Sequence, residues 1–182
     1  MAARELIILD RDGVINRDSK TFVKSPDEWQ PLPGSIEAIA RLSKAGYTLA
    51  VASNQSGLAR GLFDRDALEA MHDKLHRLVG DAGGGIDRIV VCPHGPDDGC
   101  DCRKPKPGLL EQLGEHYGQP LDDVVVVGDS LRDLRAAVAV NARPVLVRTG
   151  NGTETEKQLS GELGNIEVFD SLADAADRWL GR

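Results

Sequence analysis

The sequence predicts an α/β fold, a three-layer α/β/α sandwich around a mainly parallel, Rossmann-like sheet. Short, uninterrupted apolar runs such as Leu6–Leu9 are typical of strands that are buried on both faces of a parallel sheet. Segments with apolar residues at helical spacing alternate with these runs along the chain. No repeat and no linker divides the chain, so we expect residues 1–182 to form a single domain.

The helices are predicted from apolar residues that recur at helical spacing between start and stop signals. Pro33 and the two residues after it open the first helix, and Gly46 ends it. Asp64 suits the N-cap of the second helix, which ends at three successive glycines from Gly83. Pro107 suits the first turn of the third helix. Two further helices are predicted at about 131–140 and 172–180, and the strands at 6–9, 47–52, 86–92, 124–127, 144–147 and 166–169.

Three segments are predicted to be loops. Residues 16–33 are polar and contain three prolines, and residues 92–106 are rich in proline, glycine, cysteine and charge. Residues 149–165 are polar and rich in glycine, and we expect this segment to be mobile.

The composition limits the class of function. With 41% hydrophobic and 28% charged residues, the chain is typical of a globular protein with a substantial core. Its net charge of −7 and its aromatic content of 4% argue against binding to nucleic acid. No secretion signal and no apolar stretch of membrane-spanning length is visible. We therefore expect a cytoplasmic monomer that binds neither nucleic acid nor a membrane.

Two carboxylates, Asp10 and Asp12, follow the first strand directly. An ordinary Asp-Gly turn is one reading, and a calcium loop is excluded because Ile15 and Thr21 stand where that loop needs Gly and Glu. Ligand-binding groups gather at the carboxyl ends of parallel strands. The pair therefore suits a Mg²⁺ site in which Asp10 attacks phosphorus and Asp12 transfers a proton.

Polar residues at three later strand ends support this interpretation. Residues 53–56 (Ser-Asn-Gln-Ser) follow the second strand and can cradle a phosphate. Lys104 lies in the basic run that precedes the third helix and can neutralise the charge of the phosphoryl oxygens. Asp129 ends the fourth strand and adds a metal carboxylate, with Asp133 either a cap or a loop-holding residue. Each of these features alone is common in turns, caps and solvated surfaces, but their combination at successive strand ends favours a site.

The cysteines form a second candidate site. Three thiols and one imidazole, from Cys92, His94, Cys100 and Cys102, are the ligand set of a closed structural zinc site. A reducing compartment favours metal binding over disulfides for such a cluster. Zinc in the 92–106 loop would position the basic residues that follow its last ligand.

A pair of histidines is a weaker candidate for a metal site. His72 and His76 are four residues apart on the second predicted helix, a spacing at which two imidazoles can share a metal ion. No third ligand is near in the sequence. We expect both side chains to lie at the surface or at the boundary of the core.

The motifs resemble those of the haloacid dehalogenase superfamily of phosphohydrolases over residues about 5–150. The resemblance rests on Asp-Arg-Asp-Gly from Asp10, Ser53-Asn54, Lys104, and Gly128-Asp129 with Asp133. It implies a HAD-like fold and an aspartyl-phosphate intermediate on Asp10, with Asp12 as the acid and base. It also implies that Ser53 and Lys104 bind the phosphoryl group. The implied Mg²⁺ ligands are Asp10, Asp129 and the backbone carbonyl of Asp12.

No long insertion separates these motifs, so we expect no cap domain. The chain is similar to two capless groups, the phosphatases of heptose bisphosphates and of histidinol phosphate, and it is closer to the first. Ser130 departs from the Lys of some heptose enzymes. The resemblance implies a phosphosugar substrate of lipopolysaccharide biosynthesis, which loses its C7 phosphate. The expected substrate contacts are Asp18, Ser53, Asn54, Gln55, Ser56, Arg103 and Lys104.

Three alternatives to this function stay open on the sequence. Histidinol phosphate is the nearest alternative substrate. A 3′-phosphatase of nucleic-acid ends is more distant because the sequence has no basic stripe with aromatic residues. A non-catalytic phosphosugar-binding module is disfavoured because Asp10 and Asp12 are both present.

Overall fold

The computed structural model describes residues 5–181. Its strands form one parallel sheet in the order β3-β2-β1-β4-β5-β6. The strands are β1 (Leu6–Leu9), β2 (Thr48–Asn54), β3 (Arg88–Cys92), β4 (Val125–Gly128), β5 (Arg143–Val147) and β6 (Glu167–Phe169). The helices are α1 (Ser35–Lys44), α2 (Arg65–Asp81), α3 (Gly108–Tyr117), α4 (Leu131–Ala139), α5 (Gly152–Glu156) and α6 (Leu172–Trp179). A 3₁₀ turn covers Gly161–Leu163.

The central strand β1 shows why the sheet lies between two helical layers. Its side chains alternate between the two faces, and all of its residues are buried. Ile7 and Leu9 pack with residues of α1, α2 and α6, whereas Leu6 and Ile8 pack with residues of α3 and α4. The predicted α/β/α sandwich is therefore confirmed, and the sheet is entirely parallel.

The chain between the motifs contains no cap domain. In the described residues, β2 and β4 are separated by α2, β3, the cysteine-containing loop and α3. None of the helices within residues 5–181 combines the length and apolar character needed to cross a bilayer.

The element boundaries follow local capping chemistry. The Asp64 side chain accepts a hydrogen bond from the Ala67 backbone N–H at 2.8 Å, which confirms the predicted N-cap of α2. Strand β2 extends through Ser53 to Asn54, two residues beyond the prediction, because its backbone pairs with β3 as far as Cys92.

The polar segment 149–165 contains secondary structure, where the sequence predicted a loop. It contains α5 and the 3₁₀ turn. Arg148, just before the segment, donates from Nε and Nη2 to Glu156 at 2.7 Å and from Nη1 to Asp170 at 2.6 Å. Thr155 is buried, and its hydroxyl donates to the Asp129 carbonyl at 2.8 Å. These contacts bring the segment against the end of β4.

Candidate active site

The carboxyl ends of the strands surround a cavity of about 200 Å³. It lies where the strand order reverses between β1 and β4, which is the usual ligand-binding position in such sheets. The residues of the sequence-predicted site that line it are Asp10, Asp12, Asp18, Asn54, Gln55, Ser56, Arg103, Lys104 and Asp129.

Lys104 is the cation at the centre of this site. Its side chain is 4% exposed, and its ammonium lies 2.9 Å from Asp10 Oδ1 and 2.7 Å from Asp133 Oδ1. It also donates to the Ala52 carbonyl at 2.7 Å, so all three of its N–H donors have partners. Burial lowers the pKa of Lys104, but the two carboxylates outweigh burial and raise that pKa above its usual value. Lys104 therefore carries a fixed positive charge.

Asn54 holds the backbone of Lys104. Its side-chain Nδ2 donates to the Lys104 carbonyl at 3.1 Å, and its Oδ1 accepts from the Lys104 N–H at 3.0 Å. This amide clamp joins the end of β2 to the loop that carries the lysine. The expected substrate contact of Asn54 stays a prediction.

Three carboxylates form a cluster beside the lysine. Asp10, Asp129 and Asp133 each place an oxygen within 4.8 Å of the others. Burial raises the pKa of Asp10 well above its ordinary value and Asp133 adds to this, although Lys104 opposes it. Burial and Asp133 likewise raise the pKa of Asp129 to about 6. The negative charge exceeds what Lys104 balances, so an oxygen-seeking divalent cation such as Mg²⁺ fits the cluster.

Hydrogen bonds distinguish the roles of these carboxylates. Asp133 uses both oxygens, one on Lys104 and the other on the backbone N–H and hydroxyl of Ser130 at 3.1 and 2.7 Å. Among the described residues, Asp10 Oδ2 and Asp129 Oδ1 accept no hydrogen bond. These two oxygens can hold a cation. Asp133 instead positions Lys104 and caps α4.

The side chain of Asp12 lies outside the metal cluster. Its carboxylate accepts from Arg11, from Asn16 Nδ2 at 2.8 Å and from Gln55 Nε2 at 2.8 Å. Burial raises its pKa, but the Arg11 guanidinium and these hydrogen bonds prevail and lower the pKa below its usual value. The arrangement is consistent with a side chain free of metal, as the resemblance implies.

Only part of the predicted phosphate cradle, residues 53–56, lines the cavity in the described structure. Ser56 and Gln55 line the cavity, but Ser53 is 1% exposed and is not among the lining residues. The Ser53 hydroxyl accepts from Gln55 Nε2 at 2.7 Å. In this structure Ser53 therefore supports Gln55, and its predicted contact with a phosphoryl group stays a prediction.

Asn151 is not among the site residues predicted from the sequence, but it contacts two acidic residues of the site. Its backbone N–H and its side-chain Nδ2 donate to Asp129 Oδ2 at 2.8 and 3.1 Å. The same Nδ2 lies 3.2 Å from Asp18 Oδ2. No motif signalled this role, because Asn151 lies in the polar segment that was expected to be mobile.

Two glycines allow the chain to approach Asp129. Gly13 has φ +86°, and a Cβ there would lie 2.1 Å from Asp129 Oδ2. Gly150 has φ +59°, and a Cβ there would lie 2.2 Å from the same oxygen. Thr149 adds a hydrogen bond from its hydroxyl to the Gly13 carbonyl at 2.6 Å. Side chains at either glycine would exclude the carboxylate from its position.

The four predicted zinc ligands come together. Their donor atoms lie within 4.8 Å of one another, with Cys102 Sγ 3.1 Å from Cys92 Sγ and 3.3 Å from His94 Nδ1. Tetrahedral zinc with bonds of about 2.0–2.3 Å separates its ligand atoms by roughly 3.3–3.8 Å. The four donor atoms are thus close enough to share one zinc ion, with the two closest sulfurs moving slightly apart. Four protein ligands leave no position for water.

Arginines stand at the rim of the cavity. Arg103 follows the last cysteine, and its Nη1 donates to the His94 carbonyl at 3.2 Å, which ties it to the cysteine loop. Arg132, which no sequence motif indicated, also lines the cavity and is exposed. Both offer positive charge opposite the acidic floor.

The histidine pair of α2 is not part of a metal cluster in the described residues. His72 is partly buried and His76 is exposed, as expected. The Nε2 atom of His72 lies 3.4 Å from Arg11 Nη1. Burial, together with Arg11, lowers the pKa of His72 to about 4.

Comparison with known proteins identifies relatives of nearly equal length. Residues 101–175 match a family described as HAD-hydrolase-like. The chain is 59% identical over 178 residues to D-glycero-beta-D-manno-heptose-1,7-bisphosphate 7-phosphatase of Pseudomonas aeruginosa, with 98% of this chain and 99% of that protein covered.

Solved structures agree with this result. The crystal structure of D,D-heptose 1,7-bisphosphate phosphatase from Bordetella bronchiseptica, complexed with magnesium and phosphate, has a TM-score of 0.93 at 55% identity and covers 97% of this chain and 98% of that chain. The enzyme from Burkholderia thailandensis has a TM-score of 0.76 at 43% identity, with 98% and 100% covered. The chain belongs to the family of D-glycero-beta-D-manno-heptose-1,7-bisphosphate 7-phosphatases within the HAD-like hydrolases.

Proposed function

We propose that this protein hydrolyses the C7 phosphate of D-glycero-beta-D-manno-heptose 1,7-bisphosphate with Mg²⁺, giving heptose 1-phosphate for lipopolysaccharide biosynthesis. The names of relatives at 53–59% identity support the substrate and its beta anomer. The magnesium and phosphate bound to the Bordetella bronchiseptica enzyme support the cofactor and the phosphoryl site. The expected monomeric state and cytoplasmic location stay predictions.

One observation carries the proposed chemistry. Asp10 has one oxygen on Lys104 at 2.9 Å, and its other oxygen accepts no hydrogen bond from the described residues. Burial raises the pKa of Asp10, and Lys104 opposes this shift. A bound Mg²⁺ ion would further favour the ionised carboxylate, which can attack phosphorus without a base. Lys104 lies close enough to balance the charge on the phosphoryl oxygens.

The first step transfers the phosphoryl group to Asp10. The bond from phosphorus to the C7 oxygen breaks as the bond to the Asp10 carboxylate forms. Asp12, whose pKa is lowered in the free protein, takes up a proton when the anionic substrate binds and gives it to the C7 oxygen. Bound Mg²⁺ supplies positive charge for the phosphoryl oxygens; Asp10, Asp129 and the backbone carbonyl of Asp12 would hold it.

The second step restores the enzyme. Asp12, now a carboxylate, takes a proton from water as the water oxygen attacks phosphorus. The bond between phosphorus and Asp10 breaks, and inorganic phosphate leaves. Asp12 ends this step protonated and Asp10 ends it ionised, so both are ready for the next substrate.

The rim of the cavity supplies substrate recognition. Arg103 carries a planar guanidinium suited to the second phosphate, and Asp18 lies at the rim where it can accept from sugar hydroxyls. A structural zinc ion bound by the cysteine loop would keep Arg103 and Lys104 in place. The hydrogen bond from Arg103 to the His94 carbonyl supports this role.

The test is a substrate panel with Mg²⁺ for the wild-type protein and Asp10→Asn. Phosphate release is measured from the alpha and beta heptose 1,7-bisphosphates, histidinol phosphate and a 3′-phosphorylated oligonucleotide. We expect the highest kcat/KM with the beta heptose substrate and no turnover by the variant. A preference for histidinol phosphate or the oligonucleotide would overturn the substrate assignment. Turnover by Asp10→Asn would overturn the covalent mechanism.

A further inference from the structure

A buried guanidinium lies behind the proposed proton shuttle. Arg11 is 0% exposed and is among the largest fully buried side chains of the protein. Its carbonyl accepts the backbone N–H groups of Val14, Ile15 and Asn16 at 3.3, 2.8 and 3.2 Å. The backbone at Arg11 is therefore fixed, and its side chain is enclosed by the fold.

Burial of a charge requires partners, and the partners of Arg11 form one connected network. Nε and Nη2 donate to Asp12 Oδ1 at 3.2 and 2.9 Å, and Nη2 also donates to Asp12 Oδ2 at 3.2 Å. Nη2 further donates to Gln55 Oε1 at 3.3 Å. Asp12 is the acidic partner in this network. An apolar side chain would fill the same space without desolvating a charge.

His72 completes the network from α2. Its Nε2 lies 3.4 Å from Arg11 Nη1. A guanidinium nitrogen can only donate, so His72 Nε2 must accept and its proton must reside on Nδ1. The depressed pKa of His72 agrees with a neutral ring. The imidazole thus engages the end of the guanidinium that faces away from Asp12.

The two oxygens of Asp12 are not equivalent in this arrangement. Oδ1 accepts from two nitrogens of Arg11 and from Asn16 Nδ2. Oδ2 accepts from Gln55 Nε2 at 2.8 Å and from one nitrogen of Arg11 at the longer distance of 3.2 Å. The Asp12 side chain remains 21% exposed and lines the cavity. Oδ2 accepts fewer hydrogen bonds than Oδ1, so a proton on Oδ2 displaces only the longer bond from Arg11.

We propose that Arg11, held by His72, is a positioning residue that fixes the Asp12 carboxylate so that Oδ2 transfers the proton in both steps of the reaction. The proposal rests on the proposed function. Loss of the Arg11 guanidinium fork would leave the Asp12 carboxylate, among the described residues, with the hydrogen bonds from Asn16 and Gln55. The carboxylate could then turn, and protonation of the leaving oxygen and deprotonation of water would both become slower.

Two substrates with different leaving groups distinguish a positioning role of Arg11 from a merely structural role. A sugar alkoxide needs a proton to leave, whereas the phenolate of p-nitrophenyl phosphate does not. The kcat/KM value reports the first step, so a misplaced Asp12 lowers it for the heptose substrate and hardly for the aryl substrate. The second step needs Asp12 with either substrate. The aryl substrate should therefore show a burst of one nitrophenolate per enzyme, because the aspartyl-phosphate accumulates.

The experiment uses three variants of the full chain with Mg²⁺. Arg11→Lys keeps the charge and removes the fork, His72→Leu removes the acceptor, and His72→Gln supplies another acceptor. We expect kcat/KM for the heptose substrate to fall about 100-fold in Arg11→Lys and about 10-fold in His72→Leu. The aryl value should change less than about 3-fold, and a burst should appear. His72→Gln should restore most of the loss, and His76→Leu, one turn along α2, is the matched control.

The outcomes test the roles of Arg11 and His72 separately from the proposed function. Equal losses with both substrates and no burst would overturn the positioning role of Arg11. If Arg11→Lys does not fold, the contrast between His72→Leu and His72→Gln decides, and similar activity of these two overturns the role of His72. If the wild-type protein does not hydrolyse the heptose substrate, the proposed function fails. The aryl burst then still tests the network separately.

Discussion

Lys104 and Asp10 form a buried ion pair, with 2.9 Å between Nζ and Oδ1 and side chains that are 4% and 13% exposed. The same ammonium lies 2.7 Å from Asp133, which in turn caps α4 through Ser130. One cation thus connects the proposed nucleophile of β1 with the start of the helix after β4. Its removal must affect both catalysis and folding.

Lys104→Met should abolish turnover and lower stability. The substitution leaves Asp10 and Asp133 without their shared counter-charge, and breaking a buried pair costs about 3–5 kcal/mol. The measurements are phosphate release and the free energy of unfolding in urea. Lys106→Met is the matched control, since Lys106 is exposed and pairs with the exposed Asp101. Wild-type stability of Lys104→Met would show that the pair does not support the fold.

Removal of the proposed zinc ion should lower activity, because the 92–106 loop that it would hold carries two basic residues of the site. Without the proposed zinc ion, the fold would lose the metal bonds that join Cys92 and His94 to Cys100 and Cys102. Arg103 and Lys104 then lose their fixed position, so we expect activity to fall about 10–100-fold and proteases to cut within the loop. The measurements are bound zinc, activity in excess Mg²⁺ and limited proteolysis after chelation.

Restoration by added zinc is the control for this experiment. Cys100→Ser should reproduce the effect with lower bound zinc and should not be restored. An apo protein that retains full activity and an uncut loop would exclude the positioning role of zinc.

Much of the site could be predicted because its residues lie next to strand ends. Asp10, Asp12 and Asp129 follow recognisable apolar runs, and parallel strands bring such ends together. The cysteine spacing predicted its own cluster without knowledge of the fold. These features depend on local sequence and on the rule that the carboxyl ends of parallel strands lie at the same edge of the sheet.

The supporting residues could not be predicted in the same way. Asn151 reaches Asp129 only because the segment after β5 returns over the end of β4, and its polar composition indicated a loop. His72 occupies a flank of α2, and helical spacing does not show which buried group that flank meets. The hydrogen bond between the Ser53 hydroxyl and Gln55 was likewise not visible in the sequence, and the predicted contact of Ser53 with a phosphoryl group stays a prediction. These contacts depend on side-chain orientation and on residues that are distant in the sequence, and local sequence patterns report neither.

Asn151→Leu should weaken Mg²⁺ binding. Asn151 holds Asp129 Oδ2 through two hydrogen bonds, and the side-chain bond would be lost. Loss of such an orienting partner typically weakens metal affinity about 10–100-fold, and we expect about 10-fold because the backbone bond remains. The measurement is Mg²⁺ titration by calorimetry without substrate. Thr153→Ala, an exposed position of the same segment, should bind Mg²⁺ like the wild type. Unchanged affinity in Asn151→Leu would exclude the orienting role.

His72 should make the protein less stable in acid. Burial, with Arg11 as the second cause, lowers its pKa from 6.5 to about 4, while Asp12 opposes and His76 adds to the shift. Between these pH values the unfolded chain binds more protons than the folded protein, so the free energy of unfolding falls as pH falls from about 6.5 to about 4. The shift corresponds to about 3 kcal/mol when complete.

His72→Gln should remove this part of the acid sensitivity. We expect its free energy of unfolding to fall less than that of the wild type between pH 7 and pH 4.5, because glutamine takes up no proton. Urea unfolding at a series of pH values measures the difference. His76→Gln changes an exposed histidine of the same helix and should keep the wild-type slope. If His72→Gln and the wild type lose stability in parallel, the imidazole titrates normally in the folded protein and is not the neutral acceptor of Arg11.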